Sequence, residues 1–331
     1  MRMTRSKVAI IDDYHGVALR SADWSGVEAL GDIQVFHDPI GDEDDLVKAL
    51  ASFDVIALMR ERTPFPASLI ERLPNLRLIA LTGNRTTTLD IDACTRRGII
   101  ISYTTTTPSA ATAELAFGLI LACARALPQA DANMRKGEWQ RGLPMGIPLH
   151  GKRLGIVGLG KLGSRVAKFG QAFGMEVVAW SQNLTDEAAA AQGVRRLEKY
   201  NLFGSSDVVS VHLALSARSR GVIGKAELAQ MRTGAILVNT ARGPLIDEEA
   251  LLDELRRGRI MAGLDVFNVE PLPADHALRA LPNVVLTPHL GYVVGDAFEH
   301  FYRESVKNVE AFLRGAPVNV LNPEAAVSAK S

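Results

Sequence analysis

At 331 residues, with 47% hydrophobic and 22% charged residues, the chain has enough apolar material for two domains of about 100 to 200 residues each. Lysine plus arginine equals aspartate plus glutamate at 37 each, so the basic footprint that nucleic-acid binding needs is missing and nucleic acid is not an expected partner. The two cysteines, Cys94 and Cys123, lie in separate segments without CxxC spacing; they suggest neither a disulfide framework nor a zinc knuckle and are expected as buried free thiols.

The N-terminus is basic at Arg2 and Arg5, but the apolar run at 8–11 stops at Asp12-Asp13, too short for a signal-peptide core. The longest apolar stretch, 115–124, falls short of the roughly 18 residues that span a bilayer. A cytoplasmic location without a membrane partner is the expectation.

Residues 1–101 alternate short β-branched runs with amphipathic stretches. Strands are expected at 7–11, 33–36, 55–58, 76–81 and 99–102, with helices between them at positions such as 43–51 and 66–73. That βα alternation predicts a parallel, doubly wound sheet. Residues 109–126 are Ala-rich, place Leu115, Leu119, Ala122 and Ala126 at helical spacing, and read as one long connecting helix with Pro108 near its start. The stretch 132–150 carries Trp139, Gly142, Pro144, Gly146 and Pro148, and is expected to be irregular; with the helix before it, 109–150 reads as a dimerisation arm.

A second alternating series follows. Strands are expected at 153–157, 176–180, 208–212, 235–239 and 260–266, and helices at 161–173, 225–231 and 247–257. After Gly291, Phe298, Phe301, Tyr302, Ser305, Val309 and Phe312 mark an amphipathic helix with no strand of its own to cover, which is expected to return to the first domain. The fold expected is α/β, two Rossmann-like doubly wound parallel-sheet domains, one of residues 1–101 plus 292–331 and the other of 102–291.

The strand at 153–157 runs into Gly158-Leu159-Gly160-Lys161-Leu162-Gly163. Gly158 permits a tight turn, Gly160 lets the backbone approach a pyrophosphate, and Gly163 lets the helix lie close to the strand; Lys161 and Leu162 open that helix, whose positive end faces the phosphates. After the next strand, where an NAD site normally presents an acidic residue to the ribose, the chain has Ser181, Gln182 and Asn183. The missing carboxylate removes repulsion toward a 2′-phosphate, so NADP is favoured over NAD, although no arginine stands at 182 or 183. Downstream, Arg242, Glu270 and His289 stand in a fixed order. A guanidinium suits a carboxylate, and an imidazole beside a carboxylate suits proton transfer, so a nucleotide site followed by these three points to hydride transfer to a 2-oxo acid.

Four ordered segments, Gly158–Gly163, Asn239-Thr-Ala-Arg-Gly-Pro244, Asp265-Val-Phe-Asn-Val-Glu-Pro271 and Pro282-Asn-Val-Val-Leu-Thr-Pro-His-Leu-Gly291, resemble those of the D-isomer-specific 2-hydroxyacid dehydrogenase family, and the likeness covers nearly the whole chain. The resemblance implies that Arg242 binds the substrate carboxylate, that His289 exchanges a proton with the reacting oxygen, and that Glu270 supports His289. It implies that Asp265 orients the nicotinamide carboxamide, that Thr240 belongs to the cofactor set, that Arg60, Gly83 and Asn84 contact substrate, and that residues 1–101 plus 292–331 form the substrate-binding domain and 102–291 the dinucleotide-binding domain with an active-site cleft between them. Tyr292, directly after the His289 loop, is expected either to line the substrate pocket or to pack between the domains. Asn84 and Arg85 depart from the small or apolar residues usual there. Pro108-Ser109-Ala110-Ala111-Thr112 lacks the asparagine on which formate oxidation relies.

The implied function is NAD(P)-dependent interconversion of a small 2-oxo acid, of the glyoxylate or hydroxypyruvate class, and its D-2-hydroxy acid. The partners implied are that substrate and a second copy of the chain in a homodimer. A phosphoglycerate-type dehydrogenase and a dinucleotide-sensing regulator on the same fold are the alternatives. His212 and His276 lack a partner pattern and read as structural or surface residues, and no metal cluster is evident in the sequence.

Overall fold

The computed structural model describes residues 5–84, 86–105 and 110–325, so Arg85, Pro108 and Ser109 lie outside the described residues. The chain divides into two compact units, one of residues 1–108 and 294–331, the other of 109–293.

The first unit is built on five parallel strands: β1 Ser6–Ile10, β2 Gly31–Val35, β3 Val55–Leu58, β4 Leu78–Leu81 and β5 Ile100–Tyr103, in the order β2-β1-β3-β4-β5. Buried strands without polar alternation need helices on their faces. These are α1 Ser25–Glu28, α2 Glu43–Leu50, α3 Ala67–Glu71 and α4 Ile91–Arg96. Aspartates start two of them: Asp42 accepts from the Asp44 and Asp45 amides, and Asp90 from the Ala93 amide, which satisfies first-turn donors. The helix expected after Gly291 spans Gly295–Leu313, packs against β4, β5 and α1, and buries Phe298, Phe301, Tyr302, Val309 and Phe312. Beyond it, 319–322 lines the edge of β5 through Tyr103 N–H to Asn319 and Leu321 N–H to Ile101.

The second unit opens with α5 Ala111–Arg125 and α6 Leu127–Arg135, which meet at a 65° bend. The helix expected at 109–126 is α5, which ends where Ala126 takes a left-handed φ of 48°; α6, which the sequence did not suggest, follows at once with Pro128 in its first turn, where a missing N–H costs nothing. The expectation of irregular chain from residue 132 is corrected as well: 132–135 are helical, and non-helical chain begins after Arg135. Among the described residues no single helix is long and apolar enough to cross a membrane.

Seven parallel strands follow: β6 Arg153–Val157, β7 Glu176–Trp180, β8 Arg195–Arg196, β9 Val208–Val211, β10 Ile236–Asn239, β11 Met261–Leu264 and β12 Val284–Leu286, ordered β12-β11-β10-β9-β6-β7-β8. The helices between them are α7 Lys161–Ala172, α8 Asp186–Ala190, α9 Lys199–Ser205, α10 Lys225–Gln230 and α11 Glu248–Arg256; in chain order the helix at Gly295–Leu313 is α12. Period-2 alternation splits the strand side chains between two cores. Leu154, Ile156, Val177, Ala179 and Val238 pack with α5 and α7, whereas Val157, Val178, Val209, Val211 and Leu237 pack with α9, α10 and α11. Strand order reverses between β6 and β9, and at such a switch point open α/β sheets bind ligands beyond the carboxyl ends of their strands. Cys94 and Cys123 are free and buried, and burial pushes both thiols up to about 12.

Candidate active site

The residues singled out from sequence in the second unit sit at the carboxyl ends of strands of one sheet. Gly158 follows β6, Ser181 follows β7, Thr240 follows β10, Asp265 follows β11, and His289 lies just beyond β12.

At the switch point the glycine loop is compact. Gly158 has φ 101°, and a Cβ there would lie 2.9 Å from the His212 carbonyl carbon; one on Gly163 would lie 2.0 Å from the Gly158 oxygen. Both positions therefore demand glycine. A Cβ on Gly160 would meet nothing within 4 Å, and Gly160 starts α7 with no side-chain cap. Open space in front of uncapped first-turn amides at Lys161 and Leu162 is the arrangement that receives a pyrophosphate, so a dinucleotide fits these residues. Ser181, Gln182 and Asn183 form a turn closed by Leu184 N–H to the Ser181 oxygen at 3.1 Å, and Gln182 and Asn183 are exposed. The Arg196 guanidinium on β8 braces that turn, Nε donating to the Leu184 oxygen at 2.9 Å. The Thr240 hydroxyl is enclosed without a hydrogen-bond partner.

His289 and Glu270 are in direct contact, Nδ1 to Oε2 at 2.6 Å, with both side chains about 30% exposed. The other Glu270 oxygen accepts the Phe267 N–H at 2.8 Å, so the carboxylate is fixed from its own loop, and the Glu270–Pro271 peptide is cis. Tyr292 stands edge-on to the imidazole, with ring centroids 5.6 Å apart. Arg242 leaves β10 beside β11, and Asn239 holds its backbone by donating Nδ2 to the Arg242 oxygen at 2.9 Å. A Cβ on Gly243 would come within 2.2 Å of the Phe267 carbonyl carbon. Only glycine therefore lets the Arg242 loop lie on the segment that leads to Glu270.

Asp265 is fully buried, and every acceptor contact recorded for its side chain goes to the His289 loop. Oδ1 accepts from the Thr287 hydroxyl at 2.6 Å and from Leu290 N–H at 2.7 Å, while Oδ2 accepts from Gly291 N–H at 2.9 Å. The Asp265 carbonyl accepts His289 N–H at 2.9 Å. Burial raises the Asp265 carboxyl above the usual carboxylate range, and the bonds from Thr287, Leu290 and Gly291 oppose that shift. Asp265, expected at the nicotinamide, is thus also the anchor of the loop that carries His289. Thr287 and Thr112, whose hydroxyl reaches the Gly291 oxygen, were missed in the sequence, where no spacing links them to His289.

In the first unit Arg60 follows β3 with φ 58°, its N–H bonded to Thr82 Oγ1 at 2.7 Å. Its guanidinium lies against Gly83, where a Cβ would be 2.5 Å from Nη1. Gly83, φ 87°, donates its N–H to Thr104 Oγ1 at 2.8 Å, and Asn84 is exposed beside it. The structure brings Arg60 and Gly83 together at neighbouring strand ends.

Residues 117–291 match the model of the D-isomer specific 2-hydroxyacid dehydrogenase NAD binding domain, which indicates a nicotinamide cofactor. The chain is 30% identical over 325 residues to a hydroxypyruvate reductase of Blautia hydrogenotrophica, covering 96% of this chain and 99% of that one. It is 35% identical over 319 residues to the D-3-phosphoglycerate dehydrogenase of Methanocaldococcus jannaschii, covering 96% of this chain but spanning only 59% of that relative's length. Among solved structures, a putative D-3-phosphoglycerate dehydrogenase from Ralstonia solanacearum superposes with a TM-score of 0.90 at 35% identity, covering 97% of this chain and 98% of that one. With strand order, glycine cradle and extent of match in agreement, the chain belongs to the D-isomer specific 2-hydroxyacid dehydrogenase family.

Proposed function

We propose that the protein is an NAD(P)-dependent D-2-hydroxyacid dehydrogenase acting on a small 2-oxo acid of the glyoxylate or hydroxypyruvate class. The observation that carries this reading is the 2.6 Å contact of His289 Nδ1 with Glu270, placed on the strand ends beside Arg242 and downstream of the glycine cradle.

With Nδ1 facing Glu270, the ring atom left for substrate is Nε2, which donates a proton to the carbonyl oxygen during reduction and withdraws it during oxidation. Arg242 pairs its fork with the substrate carboxylate and draws electron density from the adjacent carbonyl. The nicotinamide dinucleotide, when bound, supplies the hydride. Gly158, Gly160, Lys161, Leu162 and Gly163 hold its pyrophosphate, and Ser181, Gln182 and Asn183 receive its adenosine ribose. These neutral hydrogen-bonding groups favour NADP. Arg60, Gly83, Asn84 and Tyr292 keep their sequence-based assignment as substrate contacts. A cytoplasmic homodimer is part of the same proposal. It draws support from apolar side chains exposed on α6 and the chain after it, among them Met134, Trp139 and Met145, and light scattering at twice the chain mass checks it.

Phosphoglycerate is the second reading, favoured by the naming of several relatives. Initial rates with glyoxylate, hydroxypyruvate and 3-phosphohydroxypyruvate, each with NADPH and NADH, test both: turnover of the unphosphorylated acids supports the first reading, and exclusive turnover of the phosphorylated one replaces it with the second.

A further inference from the structure

Gly291 is gripped on two successive peptides. Its N–H donates to Asp265 Oδ2 at 2.9 Å, and its carbonyl accepts the Thr112 hydroxyl at 2.6 Å, at the short end of the range for such bonds. The fit is tight on both sides, since a Cβ on Gly291 would lie 3.0 Å from Thr112 Cγ2 and 3.2 Å from Asp265 Oδ2. Thr112 stands in the first turn of α5, where a threonine hydroxyl would commonly serve its own helix start; here it is directed to a loop 179 residues away, and the N-cap residue Ala110 makes no side-chain cap.

His289, two residues before Gly291, holds φ 54°, a left-handed conformation that is disfavoured for an L-residue and persists only where its surroundings enforce it. Thr112 and Gly291 both belong to the second unit, one near its first residues and the other near its last, and the bond joins them beside the residue that holds the left-handed backbone.

We propose that Thr112 is a positioning residue for proton transfer. Its hydroxyl fixes the Gly291–Tyr292 peptide while Asp265 fixes the Leu290–Gly291 peptide, and the two together hold His289 in the backbone conformation that keeps Nδ1 on Glu270. The proposal rests on the reading of His289 as the proton carrier.

The test compares Thr112→Val, which keeps the shape and removes the hydroxyl, with Thr112→Ser, which keeps the hydroxyl. Thr112→Val is expected to lower kcat about tenfold and to raise the solvent deuterium isotope effect on kcat, with KM for the 2-oxo acid within about threefold and the NADPH dissociation constant within about twofold. Thr112→Ser is expected to restore kcat to within about threefold of wild type. A wild-type kcat and isotope effect in Thr112→Val overturn the proposal. Equal losses in both variants with a lowered Tm assign Thr112 to helix stability and overturn it too. If the wild-type protein turns over no 2-oxo acid, the dehydrogenase reading fails separately, and amide exchange decides the grip: faster exchange at Leu290 and Gly291 in Thr112→Val upholds it, unchanged exchange overturns it.

Discussion

The imidazole of His289 and the carboxylate of Glu270 meet at 2.6 Å although the residues are 19 apart in the chain. The Phe267 amide holds the far oxygen of Glu270, so the carboxylate keeps its place when the imidazole changes charge. Glu270→Gln retains the shape and removes the charge. A 10- to 100-fold fall in kcat, with NADPH affinity by fluorescence titration within about twofold, is expected from loss of such a partner. Unchanged kcat would remove Glu270 from the proton-transfer unit.

Arg242→Lys tests carboxylate recognition. Lysine keeps the charge and loses the planar fork, and a bidentate pair is worth roughly 2 kcal/mol more than a point contact in a half-buried site, so kcat/KM is expected to fall about 30-fold. The loss appears mainly in KM for the 2-oxo acid. An equal loss on a substrate without a carboxylate would contradict the assignment.

The turn at 181–183 makes a prediction about cofactor choice. Ser181→Asp brings a carboxylate to the end of β7, where it repels a 2′-phosphate and bonds a ribose hydroxyl. The ratio of NADPH to NADH dissociation constants is expected to move at least about tenfold toward NADH, measured by calorimetry. No movement would place the adenosine ribose elsewhere.

His212 gives a stability prediction. Its Nε2 lies 2.8 Å from Ser210 Oγ, its Nδ1 is enclosed without a partner, and burial pushes it down to about 4 from an ordinary 6.5. The unfolded chain therefore binds a proton before the folded one does. This contribution is fully present above pH 6.5 and is lost progressively as pH falls toward 4. The loss is about 2 to 3 kcal/mol, allowing for partial exposure of the residue. Urea titrations at pH 7 and pH 4.5 check it: His212→Gln should lose less stability between the two than wild type, and an equal loss would show that His212 does not titrate in that window.

The elements best legible in the sequence were those whose residues carry their own signal. The strands at 55–58, 153–157 and 176–180 are apolar, β-branched runs bounded by charge or glycine, and the structure places them where they were expected. By contrast β8 is two arginines, Arg195 and Arg196, strand only because they pair with Val178 and Ala179, a fact of the neighbour rather than of the pair. The helix α6, just beyond Ala126, was hidden because its side chains are mostly exposed and give no apolar stripe at helical spacing. At the site, the order of Arg242, Glu270 and His289 could be read, but the grip of Asp265 on Thr287, Leu290 and Gly291 could not. It depends on β11 and β12 lying side by side, which brings together residues 22 to 26 apart.

In the proposed reaction His289 transfers the proton that accompanies hydride transfer to a 2-oxo acid. The initial rate of NADPH oxidation with glyoxylate and hydroxypyruvate by wild type and by His289→Gln, together with NADPH binding to each, tests this step. Wild type is expected to turn over, the variant to lose about 100- to 10,000-fold, and binding to stay unchanged. Turnover by His289→Gln at the wild-type rate would remove the proton from His289.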